Sequence, residues 1–257
     1  MPNLSPLPSL ELFVIITVVF LVSGFVKGVI GLGLPSVSLA LLVATLGLKP
    51  AMAILVLPAL LTNVWQGISG GFLKDIIKRM WVYIIAAFLC TWIGAGILAS
   101  SNSPILSALL GILLSAYAVL SLTTPQINLP TKWESAAAPA VGALAGLFTG
   151  LTGSFVVPGV MYLQALGLPR EQFIQAMGVT FTMATVSLGV ALGGHGLMPI
   201  NQFYLSAFAL VPAFLGMLVG VLVRKHLNDA RFRQVFFIAL LIMGLYILAR
   251  PLFTEYF

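Results

Sequence analysis

Eight long apolar stretches run along this chain of 257 residues, and they restrict its fold more than any other feature. A helix needs about 20 apolar residues to cross the hydrocarbon core of a bilayer. Only 7% of the residues are charged, whereas a soluble domain has about 25%. The sequence therefore predicts an integral membrane protein built of helices. The stretches are Leu10–Ile30, Ala51–Gly70, Met80–Ala99, Pro104–Leu122, Ser135–Gly150, Glu171–Leu192, Gln202–Val223 and Phe232–Ala249.

Two further apolar stretches, Ser36–Leu48 and Phe155–Leu168, are too short to span a bilayer as straight helices. At about 1.5 Å per residue each is roughly 20 Å long, against a core of ~30 Å. Each follows a cluster of glycines and ends in a proline turn, "GLKP" at Gly47–Pro50 and "GLPR" at Gly167–Arg170. We predict two short or broken helices that cross at a thin point or re-enter. The predicted fold class is an all-α membrane protein with about eight full transmembrane helices and two short broken helices.

The order of these elements repeats along the chain. The glycines of the first cluster recur in the second half, and Thr62 corresponds to Thr182 at nearly the same offset. Interrupted segments in corresponding places of two halves are typical of transporters built from repeats. We therefore divide the chain into a first repeat at 1–122, a linker at 123–134 and a second repeat at 135–257. The matching glycines are Gly24, Gly28 and Gly31 with Gly146, Gly150 and Gly153.

Charged loops indicate how the repeats are oriented, because positively charged loops remain on the cytoplasmic side. The loop after the third segment of the first half is basic, whereas its counterpart in the second half holds only His195. One loop later the bias reverses, from the uncharged "SSNSP" to a basic loop. With five segments in each half, this pattern predicts two inverted repeats with both termini outside. The basic residues are Lys74, Lys78 and Arg79 in the first loop and Arg224, Lys225, Arg231 and Arg233 in the second.

Lys27 is the one Lys or Arg embedded in an apolar segment away from a turn or loop, and all six acidic residues lie at segment ends. A charge inside the membrane is costly and is by default a hypothesis for a functional site. The alternative is that Lys27 snorkels to the cytoplasmic rim, since it lies ~25 Å along its helix from Leu10. Both interpretations stay open. The nearby glycines favour the functional one, because they let the backbone open beside the ammonium group.

The same glycines break the helix before Pro35, a residue suited to a first helical turn. The N–H groups and dipole of a helix N-terminus attract anions. We expect "TGLTGSF" at Thr149–Phe155 to do the same in the second half, so that two N-termini, one lysine and several hydroxyls form a site for a small oxyanion. The predicted substrate-binding residues are Lys27, Gly28, Gly31, Gly33, Ser36, Asn63, Thr149, Gly150, Thr152, Gly153, Ser154 and Thr182.

Some polar and small residues also have a purely structural explanation. Glycines at every fourth position allow helices to pack closely, which accounts for Gly142, Gly216 and Gly220 but not for the dense clusters that precede prolines. Polar residues on the third segment of each half can line a cavity or hydrogen-bond between helices at ~0.6 kcal/mol each. They are Asn63 and Gln66 in the first half and Gln175, Thr180, Thr182 and Thr185 in the second.

The sequence lacks the residues that several functions need. No carboxylate lies inside a segment for a proton relay, and no G-x-x-x-x-G-K-[ST] motif is present for ATP hydrolysis. His195 and His226 lie far apart in loops, so neither a metal site nor Ser–His chemistry is expected. Cys90 is the single cysteine, which excludes a disulfide within the chain, and the basic residues form no long patch for nucleic acid. We expect no catalytic residue, no metal, no cofactor and no nucleic-acid partner.

The chain resembles the TauE/SafE family, the sulfite exporter-like permeases also called the toluene sulfonate uptake permease family. The resemblance rests on "GVIGLGLPS" and "GLTGSFVVPG", each followed by a short apolar piece, a "GLKP" or "GLPR" turn and a long Thr/Asn-bearing helix. It covers about Leu10 to Ala249. The resemblance implies transport of sulfite, thiosulfate, sulfoacetate or other organosulfonates across the bacterial inner membrane. Family members often have more glycine where this chain has Leu32, Leu34, Ser154 and Phe155, which bears on the exact substrate.

The expected function is that of a multi-pass secondary transporter of small sulfur-containing anions, which works by alternating access as the two halves rock about the site. The alternatives are an anion channel that uses the same site, a transporter of another small organic anion, and a membrane-embedded enzyme or assembly factor. The expected partners are a small anionic substrate and the lipid bilayer. The sequence allows a homodimer without requiring one.

Overall fold

The computed structural model describes residues 9–101, 103–123 and 129–254, which form ten α-helices and one short 3₁₀ turn and, within those ranges, no strand. The predicted all-α class is confirmed. Residues 124–128 of the predicted linker and the two chain ends, 1–8 and 255–257, lie outside the described ranges. The helices are α1 (Leu10–Ile30), α2 (Leu34–Leu46), α3 (Leu48–Ile68), α4 (Leu73–Ser100), α5 (Ser103–Thr123), α6 (Thr131–Thr152), α7 (Gly159–Ala165), α8 (Arg170–Gly194), α9 (Ile200–Val223) and α10 (Asp229–Thr254).

Eight of these helices are long and apolar enough to cross a membrane, all except α2 and α7, which agrees with the predicted number. The main difference concerns "GLKP", which was expected to be a turn before the third segment. Pro50 is instead the third residue of α3, so only Gly47 separates α2 from α3. A proline fits there because the N–H groups of the first helical turn have no partner within the helix.

Two glycines produce the break between α1 and α2. Gly31 ends α1 with a φ of 78°, and Gly33 precedes α2 with a φ of 105°. Side chains disfavour this left-handed region, which explains why glycine occupies both positions. At the other end of α2, Arg250 Nη1 donates hydrogen bonds to the carbonyl oxygens of Val43 and Ala44, both at 3.0 Å. A cation at a helix C-terminus satisfies carbonyls that have no partner within the helix.

The second short helix is smaller than predicted. The apolar pattern indicated a helix over Phe155–Leu168, but α7 contains only seven residues, and residues 154–158 are not helical. Pro158 explains the difference, because a residue without an N–H group can precede a helix but disrupts its interior. The predicted helix N-terminus beside Thr149–Phe155 is therefore wrong, since α7 begins only at Gly159.

The most extensive helix packing joins the two halves of the chain. The pairs are α1 with α9, α4 with α6, α5 with α10 and α3 with α8, and each contains one helix from each half. Helices α3 and α8 are the most buried of the spanning helices. The halves are thus interleaved around α3 and α8, rather than lying side by side.

Glycines allow two of these pairs to approach until their backbones touch. A Cβ atom on Gly28 of α1 would lie 2.2 Å from the carbonyl oxygen of Met217 on α9, and one on Gly150 of α6 would lie 2.2 Å from that of Thr91 on α4. Gly24 and Gly146 make the same kind of contact one turn earlier. Close packing therefore accounts for glycines of the dense clusters as well as for the three glycines to which the sequence analysis restricted it.

Candidate functional site

Lys27 lies inside the protein and points at α3. Its side chain is only 4% exposed, and Nζ donates hydrogen bonds to Thr62 Oγ1 at 3.1 Å and to Asn63 Oδ1. Thr62 and Asn63 are themselves fully buried. Because the ammonium group is directed into the helix bundle, Lys27 does not snorkel to the membrane surface in this structure.

The polar contacts continue from Asn63 to the second half of the chain. Asn63 Nδ2 lies 3.5 Å from Thr185 Oγ1 on α8, a long hydrogen bond, and Thr185 in turn donates to the carbonyl oxygen of Phe181 at 2.6 Å. We call Lys27, Thr62, Asn63 and Thr185 the lysine cluster. The lysine cluster connects α1, α3 and α8, and therefore both halves of the chain.

A proline lies inside α3, one turn before the lysine cluster. Pro58 is buried, lacks an N–H group, and precedes Thr62 by one turn. Its carbonyl oxygen accepts a hydrogen bond from Thr62 Oγ1 at 2.7 Å. The preceding N–H, of Leu57, donates to Ser206 Oγ on α9 at 3.0 Å. Backbone groups of α3 are thus bonded outside the regular helical pattern close to Lys27.

The charge of the lysine cluster is not balanced by the protein. An ammonium group has three N–H donors, and Thr62 and Asn63 accept two of them. In the described part of the chain no carboxylate lies within ion-pair distance of Lys27. A buried cation is costly without a counter-charge and is stabilised by any anion that reaches it. The arrangement can therefore bind an anion.

A cavity of about 560 Å³ opens at the end of α1, the helix that carries Lys27. We call it the vestibule. Two arginines line it, Arg170 at the start of α8 and Arg233 near the start of α10, together with Ile30 and Ile174. Both arginines belong to the ends of helices that the charge pattern predicts to be cytoplasmic. The vestibule therefore lies on the predicted cytoplasmic side of Lys27.

Gln66 separates the vestibule from the lysine cluster. Its Nε2 donates to the carbonyl oxygens of Gly31 at 3.0 Å and Ile174 at 2.8 Å, which joins the end of α1 to the start of α8. Gln66 follows Thr62 by one helical turn, about 6 Å along α3. The two regions are thus close together, with one amide side chain between them.

The predicted second-half residues form a separate group. Thr149 Oγ1 donates to the carbonyl oxygen of Ala145 at 2.7 Å, and Thr149 lines a cavity of about 10 Å³ with Thr180 and Ala184, at the lower limit for one water. Thr152 donates to the carbonyl of Phe148 at 2.7 Å, and buried Ser154 Oγ has no partner among the described residues.

This second group lies away from Lys27. Gly153 ends α6 with a φ of 73° and packs on Met52. Met52 precedes Thr62 by nearly three turns of α3, about 15 Å. Neither Thr149, Thr152 nor Ser154 hydrogen-bonds with Lys27.

The remaining predicted residues have other surroundings. Gly28 and Gly150 face backbone in the glycine contacts, Gly33 is packed against Val26 and Phe236, and Ser36 is buried in the first turn of α2. Thr182 donates to the carbonyl oxygen of Gly178 within its own helix at 2.7 Å. Of the predicted set the structure brings together Lys27 and Asn63, with Gly31 at the far side of Gln66.

The sequence did not assign Thr62, Thr185 or Gln66 to the site. Thr62 was noted as a marker of the repeat, and the other two as polar residues with a choice between a cavity and a helix contact. Their positions in the sequence could have indicated Thr62 and Gln66. Thr62 is adjacent to Asn63, and Gln66 follows one turn later on the same helix. Gln175, from the same group, bonds the backbone at Gly67 and Phe72 and so ties α8 to the loop before α4.

Comparison with known protein families gives a match over most of the chain. A family model described as "Sulfite exporter TauE/SafE" matches residues 15–247. No curated protein and no solved structure matches the chain.

Proposed function

Because the chain belongs to the sulfite exporter TauE/SafE family, as a match over nearly its whole length shows, we propose that it is a secondary transporter of small sulfur-containing anions. Sulfite, thiosulfate and organosulfonates such as sulfoacetate are the candidate substrates. The protein is a multi-pass membrane protein. We assign it to the bacterial inner membrane and expect it to act without catalysing a chemical reaction.

Lys27 is the observation that carries this proposal. It offers a buried ammonium group whose protein partners are neutral, and one N–H donor remains for a ligand. Hydrogen bonds between an ammonium group and an oxyanion are charge-assisted and stronger than those between neutral groups. A sulfite or sulfonate oxygen at this position would compensate the charge that Thr62 and Asn63 only solvate. The substrate thus completes the lysine cluster.

Alternating access fits the packing if each moving unit is a pair of helices, one from each half of the chain. The pairs α1 with α9 and α6 with α4 correspond to each other when the two repeats are exchanged, which supports a two-fold relation between the repeats. Since each pair is held by backbone contacts at its glycines, we infer that a pair moves as one body. The opposing surfaces are then α3 and α8, which carry Asn63 and Thr185. Rocking of one sequence half against the other would instead break these contacts.

Gln66 supports a carrier rather than an open channel. Its two hydrogen bonds bridge α1 and α8 between the vestibule and Lys27. A substrate can pass only when these bonds break, which a carrier does once in each cycle. A channel would conduct without such an obligatory step.

The test is counterflow of labelled sulfite in liposomes, comparing the unmodified protein with the Lys27→Gln variant. We expect saturable exchange that the substitution lowers at least about 30-fold, since losing one partner of a buried charged interaction costs about 2 kcal/mol or more. Lys74→Gln is the matched control, because Lys74 is exposed at the start of α4, and it should exchange normally.

Two results would overturn the proposal. Undiminished exchange in a folded Lys27→Gln variant would place the substrate elsewhere. Flux that does not saturate and shows no counterflow would identify a channel. Thiosulfate, methanesulfonate, sulfate and acetate as competitors rank the substrate classes, and a preference for acetate would indicate another small organic anion.

A further inference from the structure

The residues that line the vestibule include two arginines, which anion binding at Lys27 alone does not require. Among the residues that the structure describes, its lining contains two arginines and Gln164 but no Asp or Glu. The other lining residues are apolar or glycine, with Phe173, Phe237 and Leu168 among them. Pockets for small molecules typically combine apolar walls with a few charged or polar groups that orient the ligand. A volume of about 560 Å³ also lies within the range of such pockets.

We propose that the vestibule is a second anion-binding site, in series with Lys27, which holds the substrate through Arg233 and Arg170 before it passes Gln66. This inference rests on the proposed function for the identity of the substrate. The ligand class is a sulfite or sulfonate group, with the organic part of an organosulfonate against the aromatic wall.

Guanidinium groups suit this role. A guanidinium group presents its N–H donors in a planar fork that matches two oxygens of one oxyanion, and it is more weakly hydrated than an ammonium group. Arg233 lies on α10 and Arg170 on α8, so an anion held by both would be gripped from two helices. Lys27, a single point charge behind Gln66, would then receive an anion that has already lost part of its hydration.

The series arrangement follows from the hydrogen bonds of Gln66. The carbonyl oxygens of Gly31 and Ile174 accept hydrogen bonds from Gln66, and Ile174 itself lines the vestibule. The residues of the lysine cluster on α3, Thr62 and Asn63, lie one turn before Gln66. Gln66, which bonds the backbone of the vestibule wall at Ile174, is thus about one helical turn from Thr62 and Asn63. Binding at Arg233 should therefore not require Lys27.

The first measurement is independent of transport. With Cys90→Ala as background, Leu168→Cys places one thiol in the vestibule wall, and its rates of modification by an anionic and a cationic thiol reagent of equal size are compared. We expect the anionic reagent to react faster, and Arg233→Gln to lower the ratio of the two rates about fivefold. Arg231→Gln is the matched control, since Arg231 lies two residues away on α10 and does not line the cavity.

The second measurement concerns binding. Methanesulfonate should slow modification of the thiol more than chloride at equal ionic strength, and should do so equally in the Lys27→Gln variant. Arg233→Gln should abolish the protection and raise the KM of sulfite exchange while leaving its maximal rate within a factor of about two, and Arg233→Lys should restore part of the affinity.

The outcomes separate the two proposals. If sulfite exchange is normal but Arg233→Gln changes neither the rate ratio, the protection nor the KM, the vestibule proposal is overturned and the transport proposal stands. If protection depends on Arg233 but no sulfur-containing anion is exchanged, the vestibule binds anions and the transport proposal fails. If methanesulfonate no longer protects the Leu168→Cys thiol in the Lys27→Gln variant, there is a single anion site, and the vestibule proposal is also overturned.

Discussion

At the scale of single residues, the partners of Lys27 decide what it can do. A carboxylate beside a buried lysine would neutralise it permanently, whereas Thr62 and Asn63 accept hydrogen bonds and leave the charge in place. Asn63 has a further constraint, because its Nδ2 is directed at Thr185 and its Oδ1 therefore faces Lys27. The amide thus accepts a hydrogen bond from Lys27 and donates one to Thr185. A carboxylate of the same size has no N–H group to donate.

This argument predicts the effect of Asn63→Asp. A carboxylate at position 63 should pair with Lys27, cancel the positive charge and raise the KM for sulfite about tenfold or more. Counterflow in liposomes measures the change. Asn201→Asp, at an exposed position at the start of α9, is the matched control and should leave exchange unchanged. An unchanged or lower KM in Asn63→Asp would contradict the role assigned to Lys27.

Only part of the candidate site was predictable from the sequence. Lys27 was visible because a charge in an apolar segment is rare, and Asn63 because few polar residues interrupt its helix. Thr185 could not be preferred over Thr182, since the choice depends on where α3 crosses α8. That crossing is set by Gly67 and Gly178, whose backbones touch, and a spacing along one chain does not reveal it.

At the scale of elements, the glycines of α1 and α6 determine which helices can pair. Gly28 presents backbone rather than side chain to α9, and Gly220 on α9 does the same to α1. Contact of this kind provides van der Waals packing that lipid cannot replace. Any side chain at Gly28 would meet backbone atoms, which cannot rotate away.

We therefore expect Gly28→Ala to lower the thermal midpoint of the purified protein in detergent. The added methyl group would lie 2.2 Å from the Met217 carbonyl oxygen, and overpacking typically costs about 1–3 kcal/mol. Gly193→Ala is the matched control, because Gly193 is helical and has open space around it. It should keep or raise the midpoint, since alanine favours a helix by up to about 1 kcal/mol. Equal midpoints for the two variants would refute the packing argument.

The short helices show how far local patterns can be interpreted. The start of α2 was predictable, since Gly33 and Pro35 are recognisable breakers. The extent of α7 was overestimated, because apolar residues were counted as helical on both sides of Pro158. Hydropathy reports where a segment is buried and does not distinguish a helix from extended backbone over such a short length.

At the scale of the whole molecule, the number of spanning helices followed from the length of the apolar stretches. Their pairing did not, because each spanning helix is apolar and any two could pack. The structure pairs each of the four spanning helices of the first half with one from the second half. Division of the chain at the linker therefore describes a predicted sequence repeat and not two independent bodies.

The hypothesis that the two repeats are inverted predicts which loops share a side of the membrane. In a Cys90→Ala background, single cysteines at Ser69, after α3, and at Asn201, after α8, occupy corresponding places in the two repeats. An impermeant thiol reagent added to intact cells should label Asn201→Cys and not Ser69→Cys. The loop before Asn201 has no Lys, Arg, Asp or Glu, whereas Ser69 precedes the basic residues at the start of α4.

Two more positions control the experiment. Ser101→Cys, after α4, should be labelled from outside, and Asn228→Cys, before α10, only after permeabilisation. Equal labelling of Ser69→Cys and Asn201→Cys in intact cells would mean that the repeats are parallel.

The pairing of α1 with α9 has a consequence for the biosynthesis of the protein. Gly24 and Gly28 leave the ribosome early, whereas Ala213 and Met217, which they contact, follow near the end of translation. At about 5–20 residues per second this delay is roughly 10–40 s. During that interval the glycine face of α1 must be covered by lipid or by the insertion machinery, and α5 must likewise wait for α10, which is made after α9. The native bundle can therefore assemble only once translation is nearly finished, so a chain truncated before α9 should be a substrate for membrane proteases.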